Sequence, residues 1–454
     1  MPTGRRTPQV LIAVAAAVVF LSRLPFLGNG YGSDADAWRV ANAARYIATF
    51  GEYQASRLPG YPLQELVCSL LWGWGGRAFA FNLATALLSV LCFVFFSLYL
   101  RGLQSRDFIL GGLTLVFMPV TFIHSSDSMD YVWALAFILI GIYCLHRDRV
   151  VIAGAFLGLA IGCRITSGAM LVPATLMLIH QRGRLEGRHR AKLWLPHFAK
   201  LWLPTLLVGL SFYVPTASKY GTSFFTFVEG SSSAAKVIYE ASFGVWGAFG
   251  SLAIVLSLIW MLTRRPGTAI SIQAPKALVL SWLSGLLLYV GAFLRLPHEG
   301  AYLVPAIPFT ILLLGRFLER RVFVAVCLAL IVSSLVVSVE KTGAYPGGPV
   351  FRDYQIRKEI ESVVAQTIRF GDGSAERRVI VSGWLLPMIQ SRLGSDARGQ
   401  TKYVGLITSS EFWDYRSRGH EIYYLPEMRA YNLQVHQIDL AKEGGKVVEL
   451  SGGK

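Results

Sequence analysis

Val10-Leu-Ile-Ala-Val-Ala-Ala-Ala-Val-Val-Phe-Leu-Ser-Arg-Leu-Pro-Phe-Leu27, followed closely by Tyr31-Gly-Ser-Asp-Ala-Asp-Ala-Trp-Arg39, decides the fold. The first run is long and apolar enough to cross a bilayer, and Arg5-Arg6 ahead of it holds its start on the cytoplasmic side. Asp34 and Asp36 therefore emerge at the opposite membrane surface, where acids point to chemistry rather than anchoring. The run has the core of a signal peptide, yet no small-x-small cleavage site follows Leu21-Ser-Arg-Leu-Pro25, so retention as a signal anchor is expected.

Composition agrees with a membrane protein. Of 454 residues, 54% are hydrophobic and 15% charged, too apolar for an ordinary water-soluble enzyme of this size. Further apolar runs fall near 78–100, 108–123, 131–145, 150–163, 165–180, 199–214, 243–262, 277–294, 301–317 and 322–339. Only helices satisfy every backbone group in lipid at that length, so the expectation is an all-α polytopic membrane bundle of about eleven spans. The formal charge of +16 does not indicate nucleic acid, because Lys and Arg cluster in alternate connections. With the N-terminus inside, Arg101/Arg106, Arg147/Arg149, the cluster from Arg182 to Lys192, Arg264/Arg265/Lys276 and Arg316/Arg320/Arg321 all fall on the cytoplasmic side. The five cysteines lie in or beside spans with no CxxC pair, so neither a disulfide framework nor a zinc site is expected.

Between the first two spans, amphipathic runs near Ala37–Phe50 and Tyr61–Gly73 read as helices lying in the interface. Trp72 and Trp74 suit the headgroup level, and Gly75-Gly76 would end the second helix. Residues 1–340 thus form a membrane module. Gly343 to Gly348 reads as a linker, and residues 341–454 as a small α/β domain on the outer face. Its expected order is helix 354–370, strand 378–382, helix 385–393, strand 403–407, helix 410–418 and strand 421–425. It carries no phosphate loop or catalytic spacing and reads as accessory.

This topology collects polar residues on one surface: Asp34, Asp36, Arg57, the segment His124-Ser-Ser-Asp127-Ser-Met-Asp130, Arg164, and Arg295-Leu-Pro-His298-Glu299. A charge drawn into hydrocarbon costs roughly 2.5 to 3.5 kcal/mol, so Arg164, with barely a loop around it, needs a partner. An anionic lipid phosphate would serve; so would Asp127 or Asp130 in a purely structural pairing, or snorkelling to headgroups, which Arg295 could also do. His124 taken alone reads as an interfacial histidine. A D-x-D pair before a helix exceeds what capping requires, since one acid suffices for a cap. Glycosyl transfer from a lipid phosphate would use this set: a base for the acceptor hydroxyl and positive charge for the departing phosphate. Asp36 could be that base or, with Asp127 and Asp130, a ligand of a divalent cation such as magnesium or manganese.

The arrangement resembles the GT-C superfamily of membrane glycosyltransferases, which includes oligosaccharyltransferases, protein mannosyltransferases and bacterial aminoarabinose transferases. The resemblance covers roughly residues 8–320 and rests on Ser33-Asp-Ala-Asp-Ala-Trp-Arg39, Ala43-Ala-Arg-Tyr46, Gly51 and Arg57-Leu-Pro-Gly-Tyr-Pro62. It implies a polyprenyl-phosphate sugar donor, a glycan, lipid or protein acceptor, and a multi-pass location in the plasma membrane. By spacing to Arg45 and Gly51, Asp36 matches the essential first-loop acid, with Asp34 its neighbour. Asp127 or Asp130 would supply the second-loop acid. The segment Arg295 to Pro308, with His298 and Tyr302, resembles one in which a basic residue and a tyrosine contact phosphate. Aminoarabinose transferases have Glu-Lys before the first-loop prolines where this chain has Ser56-Arg57, which keeps the cation and loses the acid.

A transporter or lipid-linked-sugar flippase also fits many spans, and Pro119, Pro173 and Pro204 interrupt three of them. Such proteins place ionisable groups near mid-membrane in repeated halves, a pattern not visible here. A non-catalytic scaffold would leave the outer acids dispensable.

Overall fold

The computed structural model describes residues 6–73, 78–186, 194–225, 232–263, 270–340, 343–372, 376–394 and 400–450. Trp74, Gly75-Gly76, most of the basic cluster after Glu186, and Arg264/Arg265 lie outside the described residues.

The membrane part is a polytopic helical bundle. Helix α1 (Arg6–Arg23) is followed by α2 (Ala35–Phe50) and α3 (Pro62–Trp72), then α4 (Ala78–Gly102), α5 (Phe108–Phe117), α6 (Pro119–Ile123), α7 (Tyr131–His146) and α8 (Val150–Cys163). Next come α9 (Leu171–Glu186), α10 (Trp194–Ser211), α11 (Val214–Tyr220), α12 (Ala234–Ala241), α13 (Phe243–Thr263), α14 (Lys276–Arg295), α15 (Ile307–Phe317) and α16 (Arg320–Val332). Among the described residues, five helical segments are long and apolar enough to cross a membrane: Pro8–Phe26, Ala78–Gly102, Phe243–Thr263, Lys276–Arg295 and Gly300–Phe317. The bent pair Leu195–Ser211 and Val214–Phe224, turned by 45°, makes a sixth. The remaining apolar runs are shorter or broken helices, such as Tyr131–His146 and Val150–Cys163.

Breaks have local causes. Pro119 has no amide to donate, so the ladder stops at Phe117 and resumes after an extended Met118. Fully buried Arg23 fills that gap: it donates to the Val116 carbonyl and to Ser125 Oγ at 3.0 Å, and lies over the rings of Phe117 and Phe122 at 4.7 and 4.1 Å. Gly154, Gly158 and Gly162 line the face of α8 that meets α10. A Cβ at Gly158 would lie 2.7 Å from Val208 Cβ and 2.9 Å from the Thr205 carbonyl. Small residues at this spacing let two helix backbones touch where lipid offers no hydrophobic drive.

Helices α2 and α3 confirm the expected pair between the first two spans. Gly51, at φ 70°, closes α2 with its amide on the Ile47 carbonyl at 2.9 Å. Pro62 opens α3 where no amide is needed. Buried Glu65 on α3 gathers the preceding loop by accepting from Ser56 N at 2.7 Å, Ser56 Oγ at 2.5 Å and the Tyr53 hydroxyl. Gln64 donates to the Ser128 carbonyl at 3.0 Å.

The last run differs from its reading as a span to 339. Helix α16 stops at Val332, where Ser334 turns its hydroxyl onto the Phe117 carbonyl and Ser333 Oγ accepts the Gly250 amide at 3.0 Å. Strands β1 (Val337–Glu340) and β2 (Gly343–Pro346) then pair antiparallel, so most of the expected linker is strand. Helix α17 (Gly348–Asp372) leads to β3 (Arg378–Val381), α18 (Leu386–Leu393), β4 (Thr401–Val404), α19 (Ser409–Ser417), β5 (Glu421–Tyr424), α20 (Pro426–His436) and β6 (Lys446–Val447). The sheet order is β4-β3-β5-β6, all parallel, and buried Val379, Ile380, Val381 and Ile422 explain why its middle strands read as apolar runs. The strand expected at 403–407 starts and ends earlier, and α20 and β6 had no counterpart in the sequence reading.

The Gly158→Val protein should lose about 1–3 kcal/mol of stability, since neither the Val208 side chain nor the Thr205 backbone can withdraw from the seam. Gly168→Ala, whose Cβ would meet only Ile161 Cδ1 at 3.8 Å, is the matched control. Thermal unfolding in detergent checks this; equal midpoints would mean that the α8–α10 seam yields.

Candidate active site

The two acids before α2 divide the work. Asp34 is the N-cap: its backbone is extended and its Oδ1 accepts the Asp36 amide at 2.6 Å. Asp36, in the first turn, is 4% exposed and turns its carboxylate to two guanidiniums. Arg39, one turn along the same helix, takes Oδ1, and Arg57 takes Oδ2 at 2.5 Å. Arg57 also donates to the Tyr61 hydroxyl at 2.8 Å. The loop that carries Arg57 is the one Glu65 holds through Ser56.

A third acid completes the cluster, and it is one the sequence reading quoted without selecting. Glu299 brings a carboxylate oxygen to the pair, so that ligand atoms of Asp34, Asp36 and Glu299 all lie within 4.8 Å of one another. Glu299 accepts the Tyr131 hydroxyl at 2.5 Å. Three carboxylates this close form a hard oxygen set of the kind magnesium or manganese takes, and the two arginines already offset part of its charge.

Asp127 and Asp130, expected as further ligands, are turned to cations instead. Asp130 pairs with Arg164 at 2.7 Å, so the arginine's partner within the protein is a carboxylate. The Arg164 guanidinium also lies over three tyrosine rings, 4.4 Å from Tyr131, 4.8 Å from Tyr302 and 5.9 Å from Tyr61. Asp127 meets His124 Nδ1 at 2.8 Å, Arg357 of α17 at 3.9 Å, and the Met129 amide at 3.1 Å. Arg357, 2% exposed, also donates to the Ser126 carbonyl at 2.7 Å and pairs with Asp353, which accepts the Ser33 hydroxyl at 2.6 Å. The start of α17 thereby braces the loop from His124 to Asp130 and the approach to α2.

Of the residues selected from sequence, Asp34, Asp36, Arg57, Arg164, Tyr302 and Asp130 come together, joined through Tyr61 and Tyr131. His298 stands beside them in sequence to Glu299 but faces Ser232 Oγ at 3.3 Å, and Arg295 is exposed at the end of α14. Tyr61 and Tyr131 left a faint trace: each adjoins a residue already singled out, Pro62 and Asp130.

No protein-family model and no curated protein sequence matches the chain. Solved structures do match in fold. The crystal structure of ArnT from Cupriavidus metallidurans bound to undecaprenyl phosphate superposes with a TM-score of 0.57 at 12% identity, covering 98% of this chain and 90% of that one. The apo form gives 0.55 at 15% identity, covering 95% of each chain. The chain has the ArnT fold. That is the architecture the GT-C resemblance implied, and the match with ArnT runs through α17 and the parallel sheet as well as the bundle.

Burial, then the adjoining Glu299 and Asp36, pushes the Asp34 carboxyl from its ordinary 3.8 up to about 6. At His124 burial opposes the charged form, but Asp127 at hydrogen-bonding distance outweighs it and raises the imidazole. For Asp34 the folded value lies above the unfolded one. Its contribution to stability is therefore complete below about pH 4 and is lost as pH rises through about 6. Asp34→Asn keeps a cap and removes the titration, so its unfolding midpoint should fall less between pH 4 and 7 than that of the wild type. Parallel profiles would assign the titration to another group.

Proposed function

We propose that this chain is a membrane glycosyltransferase that moves a sugar from a polyprenyl-phosphate donor to a hydroxyl acceptor. The observation that carries the reading is the contact of buried Asp36 with Arg57 beside the Arg164 guanidinium, at one end of an apolar bundle. Asp36 takes the acceptor's proton as the acceptor oxygen bonds to the anomeric carbon. The bond from that carbon to the phosphate oxygen breaks, and the lipid phosphate leaves with the electron pair. Arg57 and Arg164 supply the positive charge that meets it, and Tyr61 and Tyr302 keep the two guanidiniums oriented. Undecaprenyl phosphate bound to ArnT, a protein of the same fold, supports a polyprenyl chain as the carrier.

A divalent cation, when bound, would neutralise phosphate charge; Asp34, Asp36 and Glu299 would hold it. The proposed placement is the plasma membrane with about eleven spans, the N-terminus cytoplasmic, and Asp36 on the outer face together with an extracytoplasmic domain from residues 341–454. The donor sugar is a hexose or a pentose. A transporter or flippase would need ionisable groups along a path through the bundle, whereas Asp34, Asp36, Glu299, Arg57, Arg164 and Asp130 gather at helix ends and in loops.

Asp36→Asn should lower transfer from radiolabelled polyprenyl-phosphate sugars by about 100-fold or more while the protein still binds donor. Undiminished transfer would remove Asp36 from the reaction. Arg164→Ala alone leaves Asp130 buried and unpaired and should cost about 3–5 kcal/mol, so the test adds it to Asp130→Asn. The double variant should unfold close to the Asp130→Asn protein but show a markedly higher donor KM; an unchanged KM would make this arginine structural.

A further inference from the structure

The outward face of α2 continues past the buried Asp36, half-buried as far as Tyr46 and exposed at Thr49 and Phe50. Arg39, Asn42, Tyr46, Thr49 and Phe50 recur at the spacing that keeps side chains on one helical face, opposite the buried Ala37, Val40, Ala41, Ala44 and Ile47. Beyond Arg39 this stripe becomes the floor of a cavity of about 320 Å3, lined by Asn42, Arg45, Tyr46, Thr49, Phe50, Gln54, Gln390 and Gly394. Its far wall is α18. Asn42 donates to the Pro387 carbonyl at 2.8 Å, which leaves its Oδ1 buried without a hydrogen-bond partner, and Arg45 reaches the Gln390 carbonyl at 3.3 Å. Tyr46 and Phe50 lie 4.7 Å apart, with their rings tilted by 47°, and Lys219 approaches the Tyr46 ring at 5.3 Å. Among the described residues no carboxylate lines the cavity.

The lining is that of a saccharide cleft: aromatic faces for the apolar side of a sugar ring, and three amides and a guanidinium for its hydroxyls. From Asp36 to Tyr46 the helix rises about 15 Å, longer than one sugar can bridge. We infer that this cleft binds an extended saccharide acceptor, an oligosaccharide whose reacting end lies at Asp36 and whose further units rest on Tyr46 and Phe50. The inference rests on the transferase reading for its direction, since it takes Asp36 as the reacting end. A single sugar or a short alcohol would leave the cleft unfilled.

The test uses a size-fractionated ladder of mono- to hexasaccharides from the envelope glycan of the source organism. Their binding to the full-length protein in detergent is followed by saturation-transfer NMR. Binding should strengthen with length; Tyr46→Ala and Asn42→Ala should each weaken the longer members about tenfold, and Asp36→Asn should bind them as the wild type does. Donor binding by the two cleft variants reports their folding, and Tyr46→Phe, which keeps the ring, should restore most of the affinity. If the wild type transfers sugar but Tyr46→Ala leaves the acceptor KM unchanged, the cleft assignment falls and the transferase reading stands. If Asp36→Asn still transfers sugar while Tyr46→Ala loses oligosaccharide binding, the cleft stands and the catalytic assignment falls. Affinity independent of length, or equal in Tyr46→Ala and wild type, overturns the inference.

Discussion

A carboxylate that is almost out of contact with solvent has to be met by positive charge, and Asp36 is met twice. Taking an ion out of water costs several kcal/mol even after relaxation, so Arg39 and Arg57 are conditions of its burial rather than additions to it. Arg39 comes free with the helix, since residues one turn apart share a face. Arg57 does not: it comes from a loop whose course is set by Glu65 holding Ser56, and Glu65 sits there because α3 packs on α2. The same accounting governs Arg164 and Asp130, and Arg357 with Asp127 and Asp353. Asp36, Asp130 and Asp127 each meet a cation from another element, Arg57, Arg164 and Arg357 in turn, which ties the loops and helix ends at this pole of the bundle to one another.

What the sequence disclosed, it disclosed through periodicity and position. The two interface helices were readable because their apolar residues recur at a helical period inside a loop too long for a simple return, and Asp36, Arg57 and Arg164 stood out as charges beside apolar runs. Tyr61 and Tyr131 gave no such signal, because tyrosine is ordinary at a membrane surface whether or not it touches a guanidinium. Glu299 was overshadowed by His298, the neighbour whose chemistry is more versatile in isolation. Asp127 and Asp130 were read as ligands of a cation; in the structure the first stands between His124 and Arg357 and the second at Arg164, and pairings across so much chain as those to Arg357 and Arg164 leave no local trace. The hairpin after α16 was hidden because Val337-Ser-Val-Glu340 continues an apolar run, and hydropathy does not distinguish a strand from the end of a span.

The region after α16 has more to do than its reading as accessory implied. Helix α17 braces the segment from His124 to Asp130, and α18 receives hydrogen bonds from Asn42 and Arg45 of α2. The helix that carries Asp36 thus lies against α3 on one side and the sheet-bearing part of the chain on the other. Both the acids at its start and the aromatic stripe at its end depend on that double support.

The glycine seam between α8 and α10 has a bearing on Arg164, which follows immediately after Cys163, the last residue of α8. Because the two backbones touch without intervening side chains, α8 has little freedom to slide or roll, and the root of the arginine inherits that immobility. In the proposed reaction a lipid head group moving in the plane of the membrane is by far the more mobile partner, so the meeting point would be chosen by the protein's backbone and the anion would travel to it.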